Sequence, residues 1–297
     1  MGIRSNRRQV HETVRIGDGT EIIADEVHIG RMTRIGENCC LVGRKIVIGE
    51  QCFIGNSVRT EGGGSGVGPN SNIFIGNECL ICDRVILNNS DEIHIGNHSA
   101  LGAETIIWTH GAFYPALLGG VAVFKPVHVG DYVWIPPRCQ ILSGVKIGDH
   151  VCVGTNSVIS KDLPSGCLAW GVPAVILKER YYPRVLSNAE KEKILDQIIS
   201  DYLPLMYYKG FQKDIKRDEL KVVFDNRITF DCDRMEIQVS SGKVDEYSED
   251  LRDYLRRRGI PLYSDRSFQS VIPPTIGKLL KTNKDRKARQ NRRQSAE

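Results

Sequence analysis

An aliphatic residue followed by glycine recurs every six residues along the first two-thirds of the chain. Ile29-Gly30 precedes Ile35-Gly36, Ile48-Gly49 precedes Ile54-Gly55, and Ile95-Gly96 precedes Leu101-Gly102; Val129-Gly130, Ile147-Gly148 and Val153-Gly154 follow. Four positions after each aliphatic residue stands a small or β-branched side chain, as at Thr33, Cys39, Cys52, Cys79, Val133 and Cys139. A period this regular predicts a stacked solenoid rather than a globular core. Each unit reads as one short strand and one corner, and three units make a triangular coil. The aliphatic side chain fills the interior and the small one packs beside it. Gly, Asn or Asp is expected at the corner to relieve backbone strain.

The pattern divides the chain. Residues 1–13 read as a lead-in and residues 14–180 as the solenoid, mainly β. Two segments break its period: the Gly-rich Glu61–Asn72 and the longer Gly111–Pro126, which carries Phe113, Tyr114 and Phe124. A loop that a regular stack does not need is a place to look for function. From Tyr181 the period is lost. Ser187 with Glu190 forms a capping box that opens a helix through Ile194, Leu195, Ile198, Ile199 and Tyr202, with its end expected at Pro204. KVVF, RITF and MEIQV alternate as strands, Tyr247–Arg258 reads as a second helix, and IPLYS as a further strand. Residues 181–272 are thus a small α+β appendage, expected to dock beside the solenoid, and 273–297 a basic tail.

Composition and charge add little to this until the tail is separated. The formal charge is +4, but the segment from Lys278 onward carries a net +6, so the remainder sums to −2. That tail is polar and is expected to be disordered; contact with an anionic membrane surface through it is the less favoured reading, and no DNA partner is expected. The start MGIRSN fits a myristoylation pattern short enough to match by chance. Neither a signal-peptide pattern nor a stretch of about 18 apolar residues is found, so a cytoplasmic setting is expected. The nine cysteines imply no disulfide framework. Cys79 and Cys82 form a CxxC, but the repeat phase puts Cys79 inside and Cys82 at a corner. Both therefore read as packing residues rather than a zinc or redox pair.

The chemistry lies between Ile93 and Lys178. Thr109-His110 closes a unit just before the long loop, and VHVGDYVWI, SVISKDLP and GVPA follow it. These segments resemble the hexapeptide-repeat acyltransferases, which fold as a left-handed parallel β-helix. The maltose, galactoside and nodulation-sugar O-acetyltransferases and the xenobiotic acetyltransferases are the branch they match. The resemblance implies an acetyl-CoA-dependent O-acetyltransferase that works in a groove between the subunits of a homotrimer, on a small-molecule or glycan acceptor. It makes His110 the general base, a role that suits an imidazole at neutral pH. It places Trp134, Thr155, Ser160, Lys161 and Lys178 along the cofactor, with Gly144 and Gly154 letting the pantetheine arm approach the backbone. The plainer reading of His110 is a surface histidine at a turn, of Trp134 a packing residue in an assembly, and of Lys161 and Lys178 solvated cations. Asp83, Asn88 and Asn89 are candidates for the acceptor site. Pro136-Pro137 stands where the family has Gly and a small residue, and Val121 where sugar acetyltransferases carry an acid. An amino-sugar nucleotide N-acetyltransferase and a non-catalytic scaffold are the alternatives. A metal site is not expected, since His98 and His110 fall on different faces of the triangle.

Overall fold

The computed structural model describes residues 2–60, 67–112 and 114–211. In the C-terminal part it describes 214–218, 220–224, 228–231, 236–239, 245–260, 262–264, 266, 268–274 and 276. Most of the Gly-rich loop (61–66), Phe113 and the tail from Lys278 lie outside the described residues. Two compact units are present, residues 1–184 and 185–297.

The first unit is a left-handed parallel β-helix. Its strands merge into a 13-stranded and a nine-stranded sheet that together make three faces. Face A stacks Ile22, Leu41, Leu87, Ile107, Ile141 and Ile159 inward. Face B stacks Ile29, Ile48, Ile75, Ile95, Val129 and Ile147, and face C stacks Ile35, Ile54, Ile81, Leu101 and Ile135. All of these side chains are buried in one continuous core. Burying a side chain of this size contributes about 1.5–3 kcal/mol relative to leaving it exposed. Gly2–Arg4 and Val10 belong to this stack: Ile3 pairs with Ile22 and Val10 with Ile29. The segment read as a lead-in is therefore the first coil. No Gly follows its first two strands, but their pairing is complete.

The small position has a polar use as well. The thiols of Cys39, Cys52, Cys79 and Cys139 donate to the carbonyls of Gly55, Gly76, Gly96 and Gly154, 2.9–3.3 Å away. The hydroxyls of Thr20 and Thr33 do the same to Gly36 and Gly49 at 2.7 Å. Each of these carbonyls belongs to a neighbouring coil, so Cys, Thr or Ser here ties one rung to the next. Burial pushes the Cys39, Cys82 and Cys139 thiols up, which suits packing and not redox chemistry.

The corners work differently from the sequence expectation. The left-handed slot is held mostly by non-glycine residues, among them Met32, Glu78, Tyr132 and Asn156, with Gly19, Gly144 and Gly166 as exceptions. The glycines stand where a neighbouring backbone leaves no room: a Cβ on Gly30 would lie 2.7 Å from the Gly49 carbonyl carbon. Side chains one coil on complete the corners. Asn77 Oδ1 accepts from the Glu50 amide at 2.8 Å, Asn97 Oδ1 from Asn77 at 2.9 Å and Asp149 Oδ1 from Asp131 at 2.8 Å.

The second unit packs two helices with an antiparallel sheet. Helix α1, Asn188–Tyr208, starts at the Ser187–Glu190 capping box and runs through Pro204 instead of stopping there. Its buried stripe of Leu195, Ile198, Tyr202 and Met206 continues past the proline, and that burial offsets the roughly 3 kcal/mol a mid-helix proline costs. Helix α2, Glu246–Arg256, is capped by Asp245. The strands are Ile215–Asp218, Lys221–Phe224, Ile228–Asp231 and Glu236–Val239; residues 262–264, expected in a strand, are not in one. Buried Asp250 binds the Lys209 ammonium at 2.6 Å and the Val271 amide at 2.7 Å.

Candidate functional site

Both loops that break the period leave the solenoid at the same edge, the corner between faces A and B. The first departs after Thr60, which pairs with Leu87 on face A, and the second after Trp108, which pairs with Asn88. Coil by coil, this edge carries Asn88–Glu92, then Thr109–Pro126, then Ser143-Gly144, then Ser160–Asp162.

His110 opens a short hairpin at this edge. His110–Ala112 pairs antiparallel with Ala122–Phe124, with Phe124 directly opposite His110. The imidazole Nδ1 lies 2.7 Å from Asn88 Oδ1 and 3.3 Å from Ser90 Oγ. Asn88 Oδ1 is an acceptor, so Nδ1 carries the proton and Nε2 is left with its lone pair. Phe124 stacks on the ring, 5.7 Å between centroids with planes at 23°. Trp108 stands edge-on at 6.5 Å, and its indole Nε1 donates to Gln140 Oε1 at 3.3 Å. The backbone around the hairpin is tied down as well. The Lys125 amide and the Ser143 hydroxyl both donate to the Thr109 carbonyl, at 3.0 and 2.9 Å. The imidazole is thus held at Nδ1 by Asn88 and Ser90 and flanked by the rings of Phe124 and Trp108.

The other predicted residues divide in two. Ser160 and Lys161 are exposed on the same edge as His110, two coils further on. Trp134 points outward from face C and is 41% exposed, in register with Ala100 and Cys152. Thr155 is exposed at the corner between faces C and A, and Lys178 lies exposed on the closing hairpin, with its ammonium 5.9 Å from the Tyr181 ring. The structure therefore brings Ser160 and Lys161 into line with His110 and leaves Trp134, Thr155 and Lys178 elsewhere on the prism.

Five assignments change. Asn88 and Asn89 are buried, at 1% exposure each, and cannot line an open acceptor pocket. Asn88 holds His110, and Asn89 Nδ2 donates to the Val42 carbonyl at 2.9 Å. Asp83 accepts from the Asn56 amide at 2.8 Å at the corner between faces C and A, away from His110. Over Gly144, which has φ +83, lies the Lys125 stem: a Cβ there would be 3.0 Å from Lys125 Cδ. Over Gly154 lies the Trp170 ring, whose Nε1 donates to the Thr155 carbonyl at 3.2 Å. Neither glycine offers open backbone to a pantetheine arm. The sequence reading passed over Ser90, Trp108, Lys125 and Trp170. Only Trp108 carried a signal, as a bulky aromatic two residues before the histidine. Among the described residues no group of three or more His, Cys, Asp or Glu side chains forms a metal cage. His94 stacks between Phe74 and His128 along face B, with burial holding His128 below the usual histidine range.

Comparison with known proteins bears on this edge. Residues 126–161 match the family described as bacterial transferase hexapeptide (six repeats). The chain is 28% identical over 110 residues to the galactoside O-acetyltransferase of Lactococcus lactis, covering 36% of this chain and 53% of that protein. It is 27% identical over 111 residues to the Escherichia coli galactoside O-acetyltransferase, covering 37% and 55%. The chain thus spans about half the length of the curated relatives it matches. A Vibrio cholerae hexapeptide-repeat acetyltransferase, solved in complex with acetyl-CoA, is 28% identical, covers 43% of this chain and 67% of its own, and superposes with a TM-score of 0.37. Residues 126–161 are thus similar to hexapeptide repeats of the bacterial transferase type, and the chain is similar in sequence over about 110 residues to galactoside O-acetyltransferases.

Proposed function

We propose that the protein is an acetyl-CoA-dependent O-acetyltransferase acting on a sugar or sugar-containing acceptor, with His110 as its general base. The observation that carries the reading is the pinned imidazole: Asn88 accepts from Nδ1 at 2.7 Å, at the edge where the period-breaking loop leaves. Acetyl-CoA supplies the acetyl group as a thioester. The acceptor oxygen bonds to the carbonyl carbon as Nε2 takes its proton, the carbon–sulfur bond breaks, and the proton returns to the leaving thiolate. Ser90 Oγ lies 3.3 Å from Nδ1, the nitrogen that Asn88 already holds, and no cysteine among the described residues contacts His110, which supports direct transfer without a covalent intermediate. Ser160 and Lys161, on the same edge, would line the cofactor path; Lys178 would meet phosphate as a cation.

A groove between copies of a homotrimer fits this division of residues. One chain keeps Trp134 and Thr155 away from His110, and a neighbouring copy would bring them to it. Phe53, Leu80, Ala100, Trp134 and Cys152 form an outward column on face C, with Phe53 at 46% exposure. An exposed apolar column of this kind favours association. Light scattering on the full chain is expected to give a trimer, and an active monomer would remove the shared groove.

The test of the activity is a thiol-release assay with acetyl-CoA and a panel of sugar acceptors; hydrolysis or transfer to none of them would sink the reading. Asn88→Ala should lower kcat by roughly tenfold or more, the worth of a lost buried hydrogen bond of about 1–3 kcal/mol, with the KM for acetyl-CoA little changed. A rise in the acceptor KM alone would return Asn88 to the acceptor site.

A further inference from the structure

His110 sits between two aromatic side chains that the packing of the solenoid does not need. Phe124 is 48% exposed although the hairpin fixes it opposite His110. Trp108 points outward at the edge, half-buried. Its indole N–H is satisfied by Gln140, so its ring offers only apolar area. The polar groups that hold His110 and its backbone are already committed: Asn88 and Ser90 to the ring, Ser143 to the Thr109 carbonyl. A hydroxyl that reaches Nε2 must therefore arrive on a molecule whose remaining surface tolerates aromatic walls.

We propose that Phe124, braced through His110 by Trp108, is a stacking wall for the acceptor, and that it selects a pyranose ring with an apolar C–H face over an open-chain polyol. A pyranose gathers its axial C–H groups on one side, and laying that side on the half-exposed Phe124 ring removes apolar area of both from water. Its hydroxyls radiate from the ring edge, so one of them can point to Nε2 while the ring is stacked. An alditol carries the same hydroxyls on a chain with no fixed apolar face, and it loses more rotamer freedom on binding. The inference rests on the acetyltransferase reading for its choice of acceptor class, but its first test does not need turnover.

The probes are methyl hexopyranosides and glucitol, used with the full-length chain as wild type, Phe124→Ala and Phe124→Tyr. Saturation-transfer NMR measures binding and thiol release measures transfer. In the wild type, saturation should concentrate on the ring C–H protons of at least one methyl pyranoside, with glucitol binding more weakly. Phe124→Ala should weaken that pyranoside by about tenfold, Phe124→Tyr should restore it, and glucitol should not respond to either change. In the transfer assay the loss should fall on the acceptor KM; a fall in kcat alone would mean that Phe124 only orients His110. The wall is overturned if no pyranoside binds in preference to glucitol, or if Phe124→Ala weakens both alike. It is overturned too if the loss tracks a change of assembly state by light scattering. Pyranoside binding that depends on Phe124 without any thiol release would retire the acetyltransferase reading and keep the wall. Transfer to pyranosides that is indifferent to Phe124 would do the reverse.

Discussion

His110→Ala is expected to lower acetyl transfer by about 100- to 10,000-fold, the range a lost general base costs. The expectation follows from what the edge offers in its place. Asn88 is buried and accepts from the ring, Ser90 Oγ lies at Nδ1, and Phe124 and Trp108 flank the imidazole. None of these takes a proton at neutral pH. Folding should be little affected, because the hairpin is held by backbone pairing and by Ser143 and Lys125 on the Thr109 carbonyl. The Asn88 oxygen left behind keeps a neighbour in Thr109 Oγ1 at 3.5 Å. Steady-state thiol release together with a melting curve checks both halves. Turnover close to wild type in a folded variant would remove His110 from the mechanism.

Much of the solenoid was legible in the sequence because its period is a direct image of its interior. Every coil needs one aliphatic side chain per face, and Ile29, Ile35, Ile48 and Ile54 record that need in plain spacing. What the spacing does not record is why a residue type stands at a position. Gly30 looks the same in sequence whether it relieves strain or clears space, and only the stacked Gly49 carbonyl decides for space. In the first coil only Ile16 is followed by Gly, so strands 2–4 and 7–10 carry no period for the sequence to show although their pairing is complete. The site shows the same limit. His110 was found because the loop after it breaks the repeat. Asn88 reads as an acceptor contact because a separation of 22 positions from His110 hides the fact that they sit on adjacent coils. Gly144 and Gly154 were misread for a related reason. The Lys125 and Trp170 side chains that fill the space above them come from segments whose placement the repeat does not govern.

The corner glycines lead to a second large expected effect. Gly96 is not in the left-handed region, so alanine there meets no backbone penalty. Its Cβ would lie 2.5 Å from the carbonyl carbon and 2.6 Å from the oxygen of Gly130, and against the Asp131 carboxylate. The obstacle on the Gly130 side is backbone, which cannot rotate away. Asp131 cannot yield freely either, because its Oδ1 accepts from the Asn97 amide at 2.6 Å. Two adjacent coils must separate locally, and their ladder bond from the Gly96 amide to the Val129 carbonyl, 2.8 Å, would stretch with them. Overpacking of this kind costs about 1–3 kcal/mol and occasionally more. In a stack whose stability is passed between neighbours, the loss falls on the coil that carries the His110 hairpin. Gly111→Ala is the matched control, since nothing lies within 4 Å of its Cβ, and it should stay within about 0.5 kcal/mol of wild type. Urea unfolding of the two variants separates the cases. If Gly96→Ala and Gly111→Ala share the wild-type midpoint, close approach between coils is not what holds glycine at these corners.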